Sequence, residues 1–123
     1  MNLDFPLFCT DDELVSKVEV WSIGTTDHGH GTFVSELIPC NSVRLAETKP
    51  GGVYDWHPAP RKQMVVTLRG TIEFTFGNGE ILVVKPGDVF YAADVEGRGH
   101  RWRIIGDDPW QRLYVHIEKP PVT

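Results

Sequence analysis

The sequence predicts an all-β domain built as a sandwich or a barrel, and three observations lead to that prediction. Glycine and proline occupy 12 and 9 of the 123 positions, above an average combined usage of roughly 12%. Short segments rich in Val, Ile, Thr and aromatic residues alternate with turn residues along most of the chain. Only one segment, near the start, has the signals of a helix.

That helix candidate is the first element to justify. The residues Thr10-Asp11-Asp12-Glu13 have the form of a capping box, in which Ser or Thr is followed three positions later by Glu. Acidic side chains at this position also complement the positive end of a helix. Leu14 and Val15 follow, so we expect one short N-terminal helix.

The strand candidates begin at Val18 and continue almost to the end of the chain. They are VEVWSI, FVSELI, VRLAET, QMVVTLR, TIEFTF, EILVV, DVFYA, HRWRII and RLYVHI. Gly77-Asn78-Gly79 predicts a hairpin connection, and Lys85-Pro86-Gly87-Asp88 predicts a turn. No change of composition marks a linker, so residues 1–123 are predicted to form a single domain.

Composition and charge exclude several classes of protein. A hydrophobic fraction of 41% argues against disorder, and two cysteines are too few for a disulfide scaffold. The chain has neither a long apolar run nor a basic leader, and we expect a cytoplasmic protein without membrane association. The net charge of −5 opposes nucleic-acid binding, because the basic run from Arg98 to Arg103 alternates across two strand faces.

Two histidines are predicted to face the interior. Residues two apart in a strand share a face, so His57 would lie beside Ala59, Arg61, Gln63 and Val65. Pro58 and Pro60 interrupt strand pairing, which leaves the orientation of Arg61 open. In a later strand, His100 shares a face with Trp102 and Ile104.

These residues carry a resemblance to the cupin superfamily. Gly51, His57, Ala59, Gln63 and Gly70 fall on the spacings of the first cupin motif, and Pro86-Gly87-Asp88 followed by His100 resembles the second. The resemblance extends from about residue 43 to residue 118. It implies a double-stranded β-helix, the cupin jelly-roll barrel, whose interior holds a ligand.

The resemblance also implies a metal site, but the motif is degenerate. Cupins use three histidines and a glutamate, whereas this chain has Ala59 and Gln63 at two of those positions. His57, Gln63 and His100 remain as ligands for a divalent transition metal such as Zn, Fe, Mn or Ni. All three are neutral, so affinity is expected to drop unless an anion supplies charge.

Without a metal, the same histidines suit acid–base chemistry. One neutral and one protonated imidazole can move a proton between two substrate atoms, as in an isomerase, lyase or cyclase. Arg61 would bind an anionic or carbonyl-bearing organic molecule. Further candidates for the wall of the cavity are Gln63, Trp102, Tyr91 and Glu47. A binding protein without turnover and a metal-dependent oxygenase are the alternatives.

The remaining features have simpler interpretations. His28-Gly29-His30 lies among glycines and turn residues and is predicted to be an exposed loop. His116 shares a face with Tyr114 and Glu118, and is predicted to be a surface or hydrogen-bonded histidine. The resemblance implies a homodimer that pairs or exchanges N-terminal strands, and the apolar residues Leu3 to Phe8 suit either that arrangement or packing within the chain.

Overall fold

The computed structural model describes residues 1–121, and over that range the protein is all-β. The strands are β1 (Asn2–Thr10), β2 (Ser16–Gly24), β3 (Thr26–Asp27), β4 (Phe33–Val34), β5 (Val43–Thr48), β6 (Val53–His57), β7 (Gln63–Arg69), β8 (Thr71–Phe76), β9 (Ile81–Val84), β10 (Val89–Ala92), β11 (His100–Ile105) and β12 (Trp110–His116). In this part of the chain there is no helix of the length and apolarity needed to cross a membrane.

The strands form two main sheets with the main hydrophobic cluster between them, which confirms the predicted jelly roll. The larger sheet has the order β2-β1-β10-β7-β12-β5, and the smaller one has the order β6-β11-β8-β9. Strand β1 pairs antiparallel with β2 and parallel with β10 of the same chain. The N-terminal segment is therefore a central strand of the larger sheet.

The predicted N-terminal helix is wrong. Thr10 is the last residue of β1, and residues 11–13 belong to the connection between β1 and β2, which pair over the full length of both strands. The Asp11 carboxylate accepts hydrogen bonds from the backbone N–H groups of Glu13 and Val15. Leu14 has a φ of 63°, which no right-handed helix accommodates. The Asp11 side chain therefore caps a tight turn and not a helix, because pairing of the two strands stabilises the chain more than a single turn of helix would.

The predicted connections and the loop are confirmed. Gly79 N–H donates to the Phe76 carbonyl in the hairpin between β8 and β9, and Asp88 N–H donates to the Lys85 carbonyl. Gly87 in that second turn has a φ of 92°, a conformation that glycine adopts without steric cost. The segment His28–His30 is exposed and lies between β3 and β4.

The core consists of two clusters. The main cluster is centred on Phe8, which is fully buried and stacks on Phe90 with ring centroids 4.3 Å apart. The second cluster contains Trp21, Ile23, Tyr91 and Ile117. Because Phe90 and Tyr91 are successive residues of β10, their side chains point to opposite faces of the larger sheet. Several members of the main cluster, among them Phe74, Phe90 and Trp110, also line the cavity of the candidate site.

Candidate functional site

A cavity of about 490 Å³ opens into the barrel between the two sheets. All five residues predicted to share a face around His57 line it: His57, Ala59, Arg61, Gln63 and Val65. The segment from residue 58 to residue 62 is irregular and not a strand, so Pro58 and Pro60 line the cavity as well. From the smaller sheet, His100 and Trp102 also reach the cavity. The orientation of Arg61, left open by the prolines, is towards the cavity.

His57 and His100 form a cross-strand pair. They are register partners on β6 and β11, and their ring centroids lie 4.9 Å apart. Gly99 permits this close approach, because a Cβ atom at that position would lie 2.0 Å from the His57 carbonyl oxygen. The glycine that precedes His100 is thus a requirement of the site's geometry.

A buried carboxylate orients His100. Asp94 is fully buried, and its Oδ2 lies 2.5 Å from His100 Nδ1. The contact identifies Nδ1 as the protonated ring nitrogen, so Nε2 carries the lone pair on the side available to a ligand. Sequence reasoning missed Asp94. The only sign of its role in the sequence is that an acidic residue interrupts the apolar segment before His100.

His57 is held in the same tautomer by the backbone. Its Nδ1–H donates to the Asp55 carbonyl at 2.7 Å, which again leaves Nε2 as the acceptor. The Tyr54 ring covers the imidazole with a centroid separation of 3.6 Å. Burial lowers the pKa of His57 below 6.5, because a desolvated imidazolium loses its hydration. His57 is therefore a neutral base at pH 7.

The donor set does not fit a transition-metal centre. Ala59, buried at a position where the resemblance implies a ligand, has no donor atom. Gln63 is buried in the cavity wall and offers a neutral amide oxygen. Across residues 1–121, no three His, Cys, Asp or Glu side chains converge in a way that could hold a metal ion. Two imidazoles and an amide leave the charge of a divalent cation uncompensated.

His116 also lines the cavity, which sequence reasoning did not anticipate. As predicted, it is hydrogen-bonded: Ser42 Oγ and Arg61 Nη1 both contact its Nδ1, the latter at 3.4 Å. The pKa of His116 lies below its usual range, chiefly because the ring is buried and also because Arg61 and Arg44 are close. Arg44, Arg61 and His116 all line the cavity.

Two predicted wall residues lie elsewhere. Tyr91 packs on Trp21 in the second core cluster, and its hydroxyl donates to the Ile117 carbonyl; burial raises its pKa to about 12. Glu47 is exposed and accepts a hydrogen bond from Gln111 at 2.8 Å. The placement of both in the cavity is wrong, because strand alternation turns each side chain away from it.

Strand β12 supplies the other residues that were missed. Arg112, Tyr114 and His116 alternate along it and all line the cavity, together with Arg44 from the neighbouring β5. The sequence shows that these side chains share one face of the strand, but it does not show whether that face points into the barrel. Of the described residues, three arginines and three histidines line the cavity, and no Asp or Glu does.

Comparison with known proteins places this geometry in a family. The Cupin domain model matches residues 44–116. Phomopsin biosynthesis cluster protein D of Diaporthe leptostromiformis is 32% identical over 88 residues, which cover 70% of this chain and 45% of that protein. A cupin-domain-containing oxidoreductase of Neurospora crassa is 31% identical over 81 residues, covering 65% and 40%. The chain spans less than half the length of these curated relatives.

Solved structures give a weaker likeness. A conserved protein of unknown function from Streptococcus pyogenes has a TM-score of 0.45 at 21% identity, covering 63% of each chain. A putative ethanolamine utilization protein from Salmonella typhimurium has the same TM-score at 15% identity, covering 96% of this chain and 98% of its own. The family-model match extends over more than half of the sequence and includes both histidines. The chain therefore belongs to the cupin family.

Proposed function

We propose that the protein binds a small anionic organic molecule inside the barrel and catalyses proton transfer on it, as an isomerase, lyase or cyclase does. The observation that carries the proposal is the histidine pair, His57 and His100, 4.9 Å apart in the cavity wall. Each ring uses Nδ1 for a protein contact and keeps Nε2 for a ligand. Two imidazoles in one cavity suit removal of a proton from one substrate atom and delivery of a proton to another.

The two histidines have different surroundings, which suggests different roles. His57 is neutral at pH 7 because burial lowers its pKa, so its Nε2 is the proton acceptor. His100 has the buried Asp94 carboxylate behind it, and that carboxylate supplies a counter-charge when Nε2 carries a proton. In its protonated form His100 is then the proton donor, and the pair is reset by proton exchange through water or product.

The cavity wall favours an anion. Arg44, Arg61 and Arg112 line it, and the described lining residues include no carboxylate. In a partly desolvated cavity a guanidinium attracts an anion more strongly than it does in water. Trp102 and Gln63 in the wall supply an aromatic surface and an amide for the rest of the ligand.

Proton abstraction can be tested before the substrate is known. A panel of small carboxylic acids with acidic C–H groups is incubated with the protein in D₂O, and loss of the C–H signal is followed by proton NMR. We expect deuterium incorporation into at least one compound. It should fall by at least about 100-fold in His57→Gln and in His100→Gln, because each removes one proton-transfer group.

The matched control is the double variant His28→Gln/His30→Gln, which changes two histidines in an exposed turn and should exchange at the wild-type rate. Retention of exchange in both cavity variants contradicts the proposal. Thermal stabilisation by a compound that never exchanges supports the alternative of a binding protein without turnover.

An oxidoreductase function is the second candidate, favoured by the relative that is a cupin-domain-containing oxidoreductase. Because His57, Gln63 and His100 alone leave the charge of a divalent cation uncompensated, a metal there would require hydroxide or an anionic substrate to complete its ligand set. Metal analysis separates this oxidoreductase function from acid–base catalysis.

A further inference from the structure

The charge of Arg112 is the feature that the histidine mechanism leaves unexplained. Its side chain is buried, with a relative exposure of 7%. The four ion pairs within residues 1–121 join Lys17 to Glu19, Arg69 to Asp108, His100 to Asp94 and Arg103 to Glu73, and none includes Arg112. A buried charge without a counter-ion is costly to maintain.

The protein fixes the orientation of this guanidinium with neutral groups. Nε donates to the Tyr114 hydroxyl at 2.9 Å. Nη1 donates to Thr48 Oγ1 at 2.7 Å and to the Trp110 carbonyl at 3.1 Å. The plane lies over the Trp110 ring, with Cζ 3.9 Å from the ring centroid. These contacts hold the cation in place without neutralising it.

A count of the N–H donors of Arg112 identifies the edge of the guanidinium that is free to bind a ligand. A guanidinium has five N–H groups, one on Nε and two on each Nη atom. The three contacts above use the Nε–H and both Nη1–H groups. Nη2 makes none of these hydrogen bonds, and within residues 1–121 it is not one of the fully buried atoms that lack a partner. Nη2 is therefore accessible, and the space next to Arg112 is the cavity.

We propose that Arg112 is the binding residue for a carboxylate of the ligand, with Nη2 donating to the carboxylate oxygens. Arg44, on β5 opposite Tyr114, is a diagonal neighbour of Arg112 and lines the same cavity. This inference rests on the proposed function, because the carboxylate that Arg112 binds belongs to the substrate on which the histidines act. The substrate class is then a carboxylic acid.

The position of Arg112 relative to the histidines fits such a substrate. Trp110, beneath the guanidinium, contacts Phe74 with centroids 5.9 Å apart, and Phe74 contacts His100 at 5.7 Å. All three side chains line the cavity. Arg112 and His100 therefore belong to one continuous cavity wall, connected through Trp110 and Phe74.

The test uses acetate as the probe, with the neutral acetamide as its matched comparison. Protein labelled with ¹³C and ¹⁵N in arginine is titrated with each compound at constant ionic strength, and the guanidinium signals are followed by NMR. We expect the Arg112 signals to shift saturably with acetate, at a dissociation constant on the order of millimolar for so small a ligand. Acetamide should give no saturation.

Variants assign the signal and provide the control. Arg112→Gln should lose both the signal and acetate binding, while Arg69→Gln, which removes an exposed arginine paired with Asp108, should bind acetate normally. If Arg112→Gln does not fold, Arg112→Lys and the wild-type titration identify the responding residue. Absence of saturation up to about 0.1 M acetate, where millimolar binding would be complete, overturns the inference. An equal response to acetamide, or a response confined to another arginine, does so too.

The outcome is separable from that of the histidine proposal. Acetate binding at Arg112 without deuterium exchange in any acid leaves the carboxylate site standing and removes the catalytic role. Exchange that depends on His57 and His100 but is unchanged in a folded Arg112 variant leaves the catalysis standing and removes the carboxylate site.

Discussion

Replacing Asp94 by Asn tests how His100 is prepared for proton transfer. The carboxylate is fully buried and accepts from His100 Nδ1 at 2.5 Å. An amide of nearly the same shape keeps an oxygen that can accept from Nδ1–H, because Asp94 Oδ1 has no hydrogen-bond partner that would fix the amide in the other orientation. The ring proton then stays on Nδ1, but the counter-charge for the imidazolium is lost.

The size of the effect follows from that loss. Protonating the ring no longer gains a charge-assisted hydrogen bond, which is worth roughly 1.5–3 kcal/mol. At about 1.4 kcal/mol per factor of ten, the deuterium exchange rate should fall about 10- to 100-fold. Stability should change much less, because the amide keeps one hydrogen bond to the ring.

Two measurements check this prediction. Long-range ¹H–¹⁵N NMR spectra of the histidines report which ring nitrogen of His100 carries the proton, and the D₂O exchange assay reports the rate. Asp107→Asn, which changes an exposed carboxylate, is the control for loss of one negative charge. If Asp94→Asn exchanges at the wild-type rate, the assignment of Asp94 as the positioning residue of His100 is refuted.

Three further predictions concern pH, metal and assembly. The pKa values of native His57 and His116 lie below 6.5, so the unfolded chain binds more protons and the free energy of unfolding should fall as pH drops below about 6.5. The urea midpoint should therefore fall with decreasing pH, and it should fall less steeply in His116→Gln. An equal dependence of the midpoint on pH in the two proteins contradicts this prediction. Elemental analysis of the wild-type protein should find less than about a tenth of an equivalent of transition metal. A wild-type protein that contains nearly one equivalent of metal, together with a Gln63→Ala variant that has lost it, supports the oxygenase alternative. Within residues 1–121, strand β2 is an unpaired edge of the larger sheet. We therefore expect light scattering to show a homodimer, which Val20→Pro should weaken. A wild-type monomer throughout the micromolar range refutes this prediction.

The cavity wall near His57 could be predicted only in part. Ala59, Arg61 and Gln63 follow His57 at intervals of two, and all line the cavity as predicted, although β6 ends at His57. Pro58 and Pro60 line it as well, because the segment bends at residues 60 and 61 and does not alternate as a strand does. The proximity of these residues to His57 in the sequence was therefore sufficient to place them, but strand alternation was not.

Long-range contacts explain what could not be predicted. Asp94 lies between strands, and its role depends on the path that brings it back to His100. The common face of Arg112 and His116 follows from alternation, but whether that face points inward depends on the order β7-β12-β5. The false helix has the same cause, because the capping signal at Asp11 is local whereas the pairing of β1 with β2 and β10 is not.

The contrast between the charge of the whole chain and that of the cavity carries one more consequence. The net charge is −5, yet Arg44, Arg61 and Arg112 line the cavity without a carboxylate among the described lining residues. A polyanion approaching from outside is repelled by the acidic surface, while a small anion inside the barrel meets only cations and neutral groups. Because Arg112 is buried, its attraction for that anion is screened little by salt. Binding of a small carboxylate should consequently persist at salt concentrations that would abolish binding to an exposed basic surface.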